Sequence, residues 1–189
     1  MDKDYEKFKE KVYNDIKHYE ICMAIYSSYE KNIWEQMEKL NIAVQRYEWV
    51  LYFLGNSLIT DMYVTLRRLL SDGQNELSLY QFYQKYFSPK ICATNFNEFK
   101  ELLLQRILPK SHESWKDLKK FIDKRIAHSD KGKDIRPFPI DKTRMIFEDL
   151  KNAFDKVTLK VEDATYSFDK DDVARLSDIV FNRMIHHKD

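Results

Sequence analysis

The sequence predicts an all-α protein, an up-and-down helical bundle with additional short helices. Three observations carry that expectation. Helix breakers are scarce, with 3 Gly and 4 Pro in 189 residues, and 33% of the chain is charged. From Asp4 to Leu54 there is neither Gly nor Pro. Apolar residues recur at spacings of three and four rather than two, which is the helical period.

The first helix carries Phe8, Val12, Ile16, Tyr19, Met23, Tyr26, Tyr29, Ile33, Met37 and Leu40 on one stripe, with a break expected near Asn41. The second runs from about Ile42 to Ser71. Its main stripe is Leu51, Leu54, Gly55, Leu58, Ile59, Met62, Leu66 and Leu69, and its other side carries Trp49, Phe53, Tyr63 and Val64. A helix apolar nearly all round is buried in a bundle or against a second subunit. Gly55 within it costs about 1 kcal/mol against Ala, which a close helix crossing would explain. Asp72-Gly73 ends this helix.

Ser78-Leu-Tyr-Gln81 has the form of a capping box and opens a short helix to about Phe87, stopped by Pro89. Asn95-Phe-Asn-Glu98 starts another, which Pro109 ends near Ile107. Ser111 starts the next, and Gly132-Lys133 ends it. Pro137 and Pro139 make the following connection extended, and Asp141 is expected to cap a helix reaching at least Phe154. Val157-Thr-Leu-Lys-Val161 alternates as a short strand would, but a continuing helix is preferred. The last helix starts between Asp169 and Asp172.

The length suits a single helical domain over residues 1–189. A net charge of +1 predicts no bulk attraction to nucleic acid or membrane. Cys22 and Cys92 have no metal or CxxC spacing and are expected to be buried and reduced. The N-terminus is charged from its start and the longest apolar run, Trp49 to Leu54, is too short to span a bilayer. A soluble cytoplasmic protein with no membrane contact is expected.

Chemistry concentrates in Phe121-Ile-Asp-Lys-Arg-Ile-Ala-His-Ser-Asp130. On a helix, Trp115, Leu118, Phe121, Ile122 and Ile126 form one apolar stripe. Arg125 falls inside it and His128 on its edge, three residues apart and therefore neighbours. Lys124, Asp123, Ser129 and Asp130 lie beside them. A histidine titrates near neutrality and an arginine fork holds phosphate, which together suit metal-free RNA cleavage. The plain structural alternative is a His128 that interacts with the helix dipole and an Arg125 that pairs with a carboxylate.

Arg67-Arg68 is the second candidate. Asp61, Thr65, Arg68 and Asp72 share a seam of the second helix, so a structural Asp61–Arg68 or Arg68–Asp72 clamp is expected. Arg67 lies on a more open face and is free to reach the His128 region. The 12 Tyr, 12 Phe and 3 Trp at helical spacing read as core rather than as a base-stacking platform. His18 and His112 read as isolated surface residues. No phosphate loop, HExxH or carboxylate cluster with metal spacing is found.

Leu66-Arg-Arg-Leu-Leu-Ser-Asp72, Leu77-Ser-Leu79 and Phe121–Asp130, in that order, resemble the HEPN superfamily, and within it the AbiU-type abortive-infection branch. The likeness implies an all-α homodimer in which Arg and His of a late helix meet their symmetry mates. It also implies a metal-independent endoribonuclease of a phage-defence or toxin–antitoxin system, with RNA as substrate, no cofactor, and an antitoxin or other protein as further partner. By this likeness His128 is the catalytic residue. Arg125, with Arg67 or Arg68 and Lys124, holds the scissile phosphate, and Asp123, Ser129, Asp130 and Asp72 support them. The superfamily motif usually places an Arg four to six residues before the His. Here Ile122 stands six before it and Lys124 four before it, so either Arg125, Lys124 or an Arg of the second helix replaces that Arg, or the domain binds without cleaving.

Overall fold

A computed structural model describes residues 3–34, 43–73, 76–124, 138–166 and 171–186. Among them there are seven α-helices and no strand: α1 (Lys3–Tyr29), α2 (Ala43–Leu69), α3 (Leu79–Phe82), α4 (Phe96–Ile107), α5 (His112–Ile122), α6 (Ile140–Glu162) and α7 (Asp171–His186). Single π-helical turns extend α1 over Glu30–Trp34 and α3 over Tyr83–Phe87. The all-α helical bundle is as expected. No helix among the described residues is long and apolar enough to cross a membrane.

The helix ends follow local chemistry. Ser78 caps α3, its side chain accepting from the Gln81 N–H. Gln81 does not close the box. Its amide donates instead to the carbonyls of Asp72 and Gly73, holding the α2–α3 turn. Asn95 caps α4 by accepting from the Glu98 N–H at 3.0 Å. The cap position of α6 is Pro139, with Asp141 already in the first turn. Proline's fixed φ suits a helix start, so the cap expected at Asp141 is displaced by two residues. The helix then runs through Val157–Val161. Leu150, Phe154, Val157 and Thr158 are buried while Leu159 and Val161 are exposed, a 3.6-residue rhythm rather than a two-residue one.

The chain forms two compact units. The first comprises Met1–Asn14 and Leu66–Tyr166. Its core joins Leu66, Leu79, Phe82, Leu103, Trp115, Leu118 and Ile122 to Ile146, Leu150, Phe154 and Val157 of α6, all buried. Aromatic rings knit the start of α1 to it. Tyr5 lies 5.5 Å from Phe82 and edge-on to Tyr86 at 5.0 Å, and Phe82 lies 5.9 Å from Phe154. Such pairs add about 0.5–1.5 kcal/mol beyond their burial. Glu162 accepts from Tyr5, Lys9 and Tyr166 at 2.9–3.1 Å.

The second unit comprises Asp15–Thr65 and Ser167–Asp189. Tyr29, Ile33, Leu51 and Phe181 form its apolar cluster, with Ile25, Tyr26 and Leu54 against it. Gly55 explains itself here. A Cβ at this position would lie 3.0 Å from Cε1 of the Tyr29 ring and 3.1 Å from Cζ, the close crossing that its place in α2 implied. Asp178 of α7 accepts from Asn32 at 2.7 Å and from the Ser28 hydroxyl.

α2 is not buried all round. Val50, Tyr52 and Phe53 are 60%, 63% and 73% exposed. Among the described residues the other aromatics, apart from the exposed Phe96, are buried or half-buried, with Tyr5, Tyr19, Tyr80, Phe82 and Phe154 fully buried.

Candidate functional site

α5 is the scaffold of the candidate site. Its start is fixed from α6. The buried Asp149 carboxylate accepts from the N–H groups of Lys110 and Ser111 and from the Ser111 hydroxyl, at 3.0, 2.9 and 2.7 Å. Ser111 therefore occupies the expected cap position, but its hydroxyl serves Asp149 and makes no cap bond of its own. A carboxylate beside a helix N-terminus satisfies orphan N–H groups and complements the dipole.

The expected stripe is present. Trp115, Leu118 and Ile122 are buried, and Phe121 lies 6.2 Å from Phe138. Ile122 is 1% exposed, so the position six before His128 is a core position. The Asp123 N–H reaches the carbonyls of Lys119 and Lys120, and the helix widens into a π turn at Asp123-Lys124. Lys124 is exposed. Arg125, Ile126, His128, Ser129 and Asp130 lie outside the described residues.

Arg67, in the last turn of α2, pairs with Asp123: its Nη1 donates to Oδ1. Both side chains are about half exposed. The second-helix arginine is thus joined to the residue five positions before His128. Arg68 is also exposed. The two carboxylates expected to clamp Arg68 are engaged elsewhere. Asp72 binds Lys100 of α4 at 2.6 Å, and Asp61 binds His18 at 2.7 Å. The hydrogen bond from Lys100 holds the Asp72 carboxyl below its ordinary value against the effect of burial.

Three expectations about isolated residues are corrected. His112 is buried, with its ring nitrogens 3.4 Å from carboxylate oxygens of Glu101 and Glu113. It opens α5 and is covered because Ser111 before it is anchored to Asp149. Cys92 is exposed, while Cys22 is buried as expected, and both are free thiols. Cys92 falls in the non-helical stretch between Pro89 and Asn95, where no apolar face covers it.

His18 is not isolated either. Its Nε2 meets Asp61 Oδ2 at 2.7 Å, and Cys22 Sγ lies 3.7 Å from that nitrogen and 3.6 Å from that oxygen. Burial, then the Asp61 charge and hydrogen bond, push the Cys22 thiol up to about 12. The signal available in the sequence was His18 and Cys22 at a spacing of four on a helix. Asp61 joins them only through the pairing of α1 with α2.

The HEPN AbiU2 family model, described as AbiU2, matches residues 2–178. No curated protein and no solved structure gives a significant match.

Proposed function

The chain belongs to the AbiU2 family of HEPN abortive-infection domains, and from that premise we propose that it is a metal-independent endoribonuclease of prokaryotic phage defence or of a toxin–antitoxin pair. His128 removes the proton from a ribose 2′-hydroxyl. The oxygen attacks the adjacent phosphorus, and the bond to the 5′ oxygen of the next nucleotide breaks. The protonated imidazole returns a proton to that leaving oxygen, so the products are a 2′,3′-cyclic phosphate and a 5′-hydroxyl. Arg125, with Arg67 or Arg68, holds the scissile phosphate as charge accumulates on its oxygens. Lys124 adds positive charge at the rim, Asp123 keeps Arg67 in place, and Ser129 and Asp130 support the other cations, whereas Asp72 holds Lys100.

The observation that carries this reading is the Arg67–Asp123 pair. It brings Arg67 to the residue two positions before Arg125 and five before His128 in the sequence, which supports a site that draws its cations from distant parts of the chain. A cytoplasmic homodimer is part of the proposal. The exposed Val50, Tyr52 and Phe53 on α2 favour it, since apolar side chains of this size gain from cover. An antitoxin or other partner protein is a further expectation.

Ile122 favours a second reading. Its burial leaves no cation at the position six before His128, which suits a module that holds RNA, a nucleotide or a partner protein without cleaving.

The two readings separate in one assay. RNA incubated with the purified chain and a chelator is expected to give fragments ending in 2′,3′-cyclic phosphate, and a 2′-deoxy substitution at the cut site is expected to stop cleavage. Binding without cleavage, weakening steeply as salt rises, supports the module instead. Products with 5′-phosphates that appear only with added magnesium contradict the nuclease chemistry.

A further inference from the structure

Away from the α5 site, one group of side chains converges on a point that the proposed ribonuclease chemistry does not use. His18 and Cys22 lie one turn apart on α1, and Asp61 faces them from α2. Their donor atoms are of three kinds: an imidazole nitrogen, a sulfur and a carboxylate oxygen. The three separations are 2.7 Å (N to O), 3.7 Å (S to N) and 3.6 Å (S to O). Zinc bonds of about 2.3 Å to sulfur and about 2.0–2.1 Å to nitrogen and oxygen give tetrahedral edges of roughly 3.6 Å to sulfur and roughly 3.3 Å between nitrogen and oxygen.

Both edges to sulfur therefore already have the length a tetrahedral ion requires. Only the nitrogen–oxygen edge must open, by about 0.6 Å. That opening separates two side chains that are 43% and 49% exposed and can turn without disturbing the core. Cys22, which cannot move freely, is 5% exposed and already stands at the required distance.

We propose that His18 Nε2, Cys22 Sγ and Asp61 Oδ2 form a zinc-binding site that pins α1 to α2, with the fourth position open to water. The donor set selects the metal. A sulfur and an imidazole disfavour magnesium and calcium, which take oxygen ligands, and suit a divalent ion of borderline softness. Binding releases the Cys22 thiol proton to solvent, leaving thiolate, neutral imidazole and carboxylate around the ion. Solvent reaches the site directly, since the His18 and Asp61 side chains are about half exposed. The site stands independently of the ribonuclease reading, and neither fails with the other.

The test uses the untagged full chain under reducing conditions, with Co²⁺ as a spectroscopic stand-in and Zn²⁺ as competitor. One Co²⁺ per chain should give a near-ultraviolet thiolate-to-metal band and the visible bands of tetrahedral cobalt, both removed by zinc. Cys22→Ser and His18→Ala should abolish the thiolate band, and Cys92→Ser should leave it unchanged. X-ray absorption of the zinc-loaded, unaltered chain should show one sulfur at about 2.3 Å among nitrogen and oxygen neighbours, a readout that holds even where a variant fails to fold. Absence of the cobalt band in the unaltered chain, its survival in Cys22→Ser, or a zinc shell without sulfur would overturn the proposal.

Discussion

Arg67 and Asp123 are 56 residues apart in sequence and form an ion pair that joins the end of α2 to the end of α5. Each side chain is about half exposed, so the pair stabilises the fold by at most about 1 kcal/mol. On the proposed function its contribution is positional. Arg67→Ala should shift the unfolding midpoint little, yet lower RNA cleavage tenfold to a hundredfold, as expected for losing roughly 1.5–3 kcal/mol of a charged hydrogen bond to phosphate. Asp123→Ala should affect cleavage less than Arg67→Ala does, because the arginine remains. Comparing cleavage rates and urea midpoints of the two variants checks this. Full activity in Arg67→Ala removes Arg67 from the site.

Gly55 should resist the substitution that usually helps a helix. Alanine gains about 1 kcal/mol over glycine in a helix interior. Here the new methyl would meet the Tyr29 ring at 3.0–3.3 Å, and that ring is packed in a cluster with Ile33, Leu51 and Phe181. Gly55→Ala should bring no gain in denaturant unfolding, and Gly55→Leu should cost about 1–3 kcal/mol or more through overpacking. A stability gain of the full helix-propensity size in Gly55→Ala would show that Tyr29 gives way freely.

Asp149 should be the most sensitive polar residue of the first unit. It is 2% exposed and accepts three hydrogen bonds at the start of α5. Asp149→Ala leaves the buried Ser111 N–H and hydroxyl without their acceptor, at about 1–3 kcal/mol for each buried group left unsatisfied, and frees the Lys110 N–H, which lies nearer solvent. Asp149→Asn keeps one acceptor oxygen and should lose less. Chemical denaturation of both variants tests the order.

Asp155 should be a stabilising position to change. Burial raises its carboxyl above the ordinary value, and the Oδ1 atom is buried with no hydrogen-bond partner among the described residues. A carboxyl raised on folding favours the folded state below its unfolded pKa, and that benefit is lost as pH rises through the folded value. At neutral pH the charge therefore opposes folding. Asp155→Asn should melt higher than the parent at pH 7, with the difference shrinking towards pH 4. An equal or larger gain at pH 4 would contradict the burial argument.

The parts of this fold legible in the sequence were those set by neighbours in the chain. Ser78 and Asn95 cap where short polar side chains reach their own backbone, Pro109 stops α4, and the three-four spacing marks the helices. Gly55 was legible as a close crossing, though the sequence did not identify Tyr29 as its partner. Partnerships between helices were not legible. The expected seam of Asp61, Arg68 and Asp72 dissolves because His18 and Lys100 approach from other helices. His112 looked exposed because nothing local shows that Asp149 draws its end of α5 inward. Of the candidate site, Arg67 and Asp123 come together, while Arg125 and His128 rest on the sequence and the family.

The central claim is that His128 performs metal-free RNA cleavage, and single-turnover cleavage in excess chelator tests it most directly. The unaltered chain should convert RNA to fragments with cyclic phosphate ends. His128→Ala, with an unchanged helical circular dichroism spectrum, should lose that activity by at least a hundredfold, the scale of a positioned acid–base group. Cleavage by His128→Ala at the rate of the unaltered chain would contradict the account.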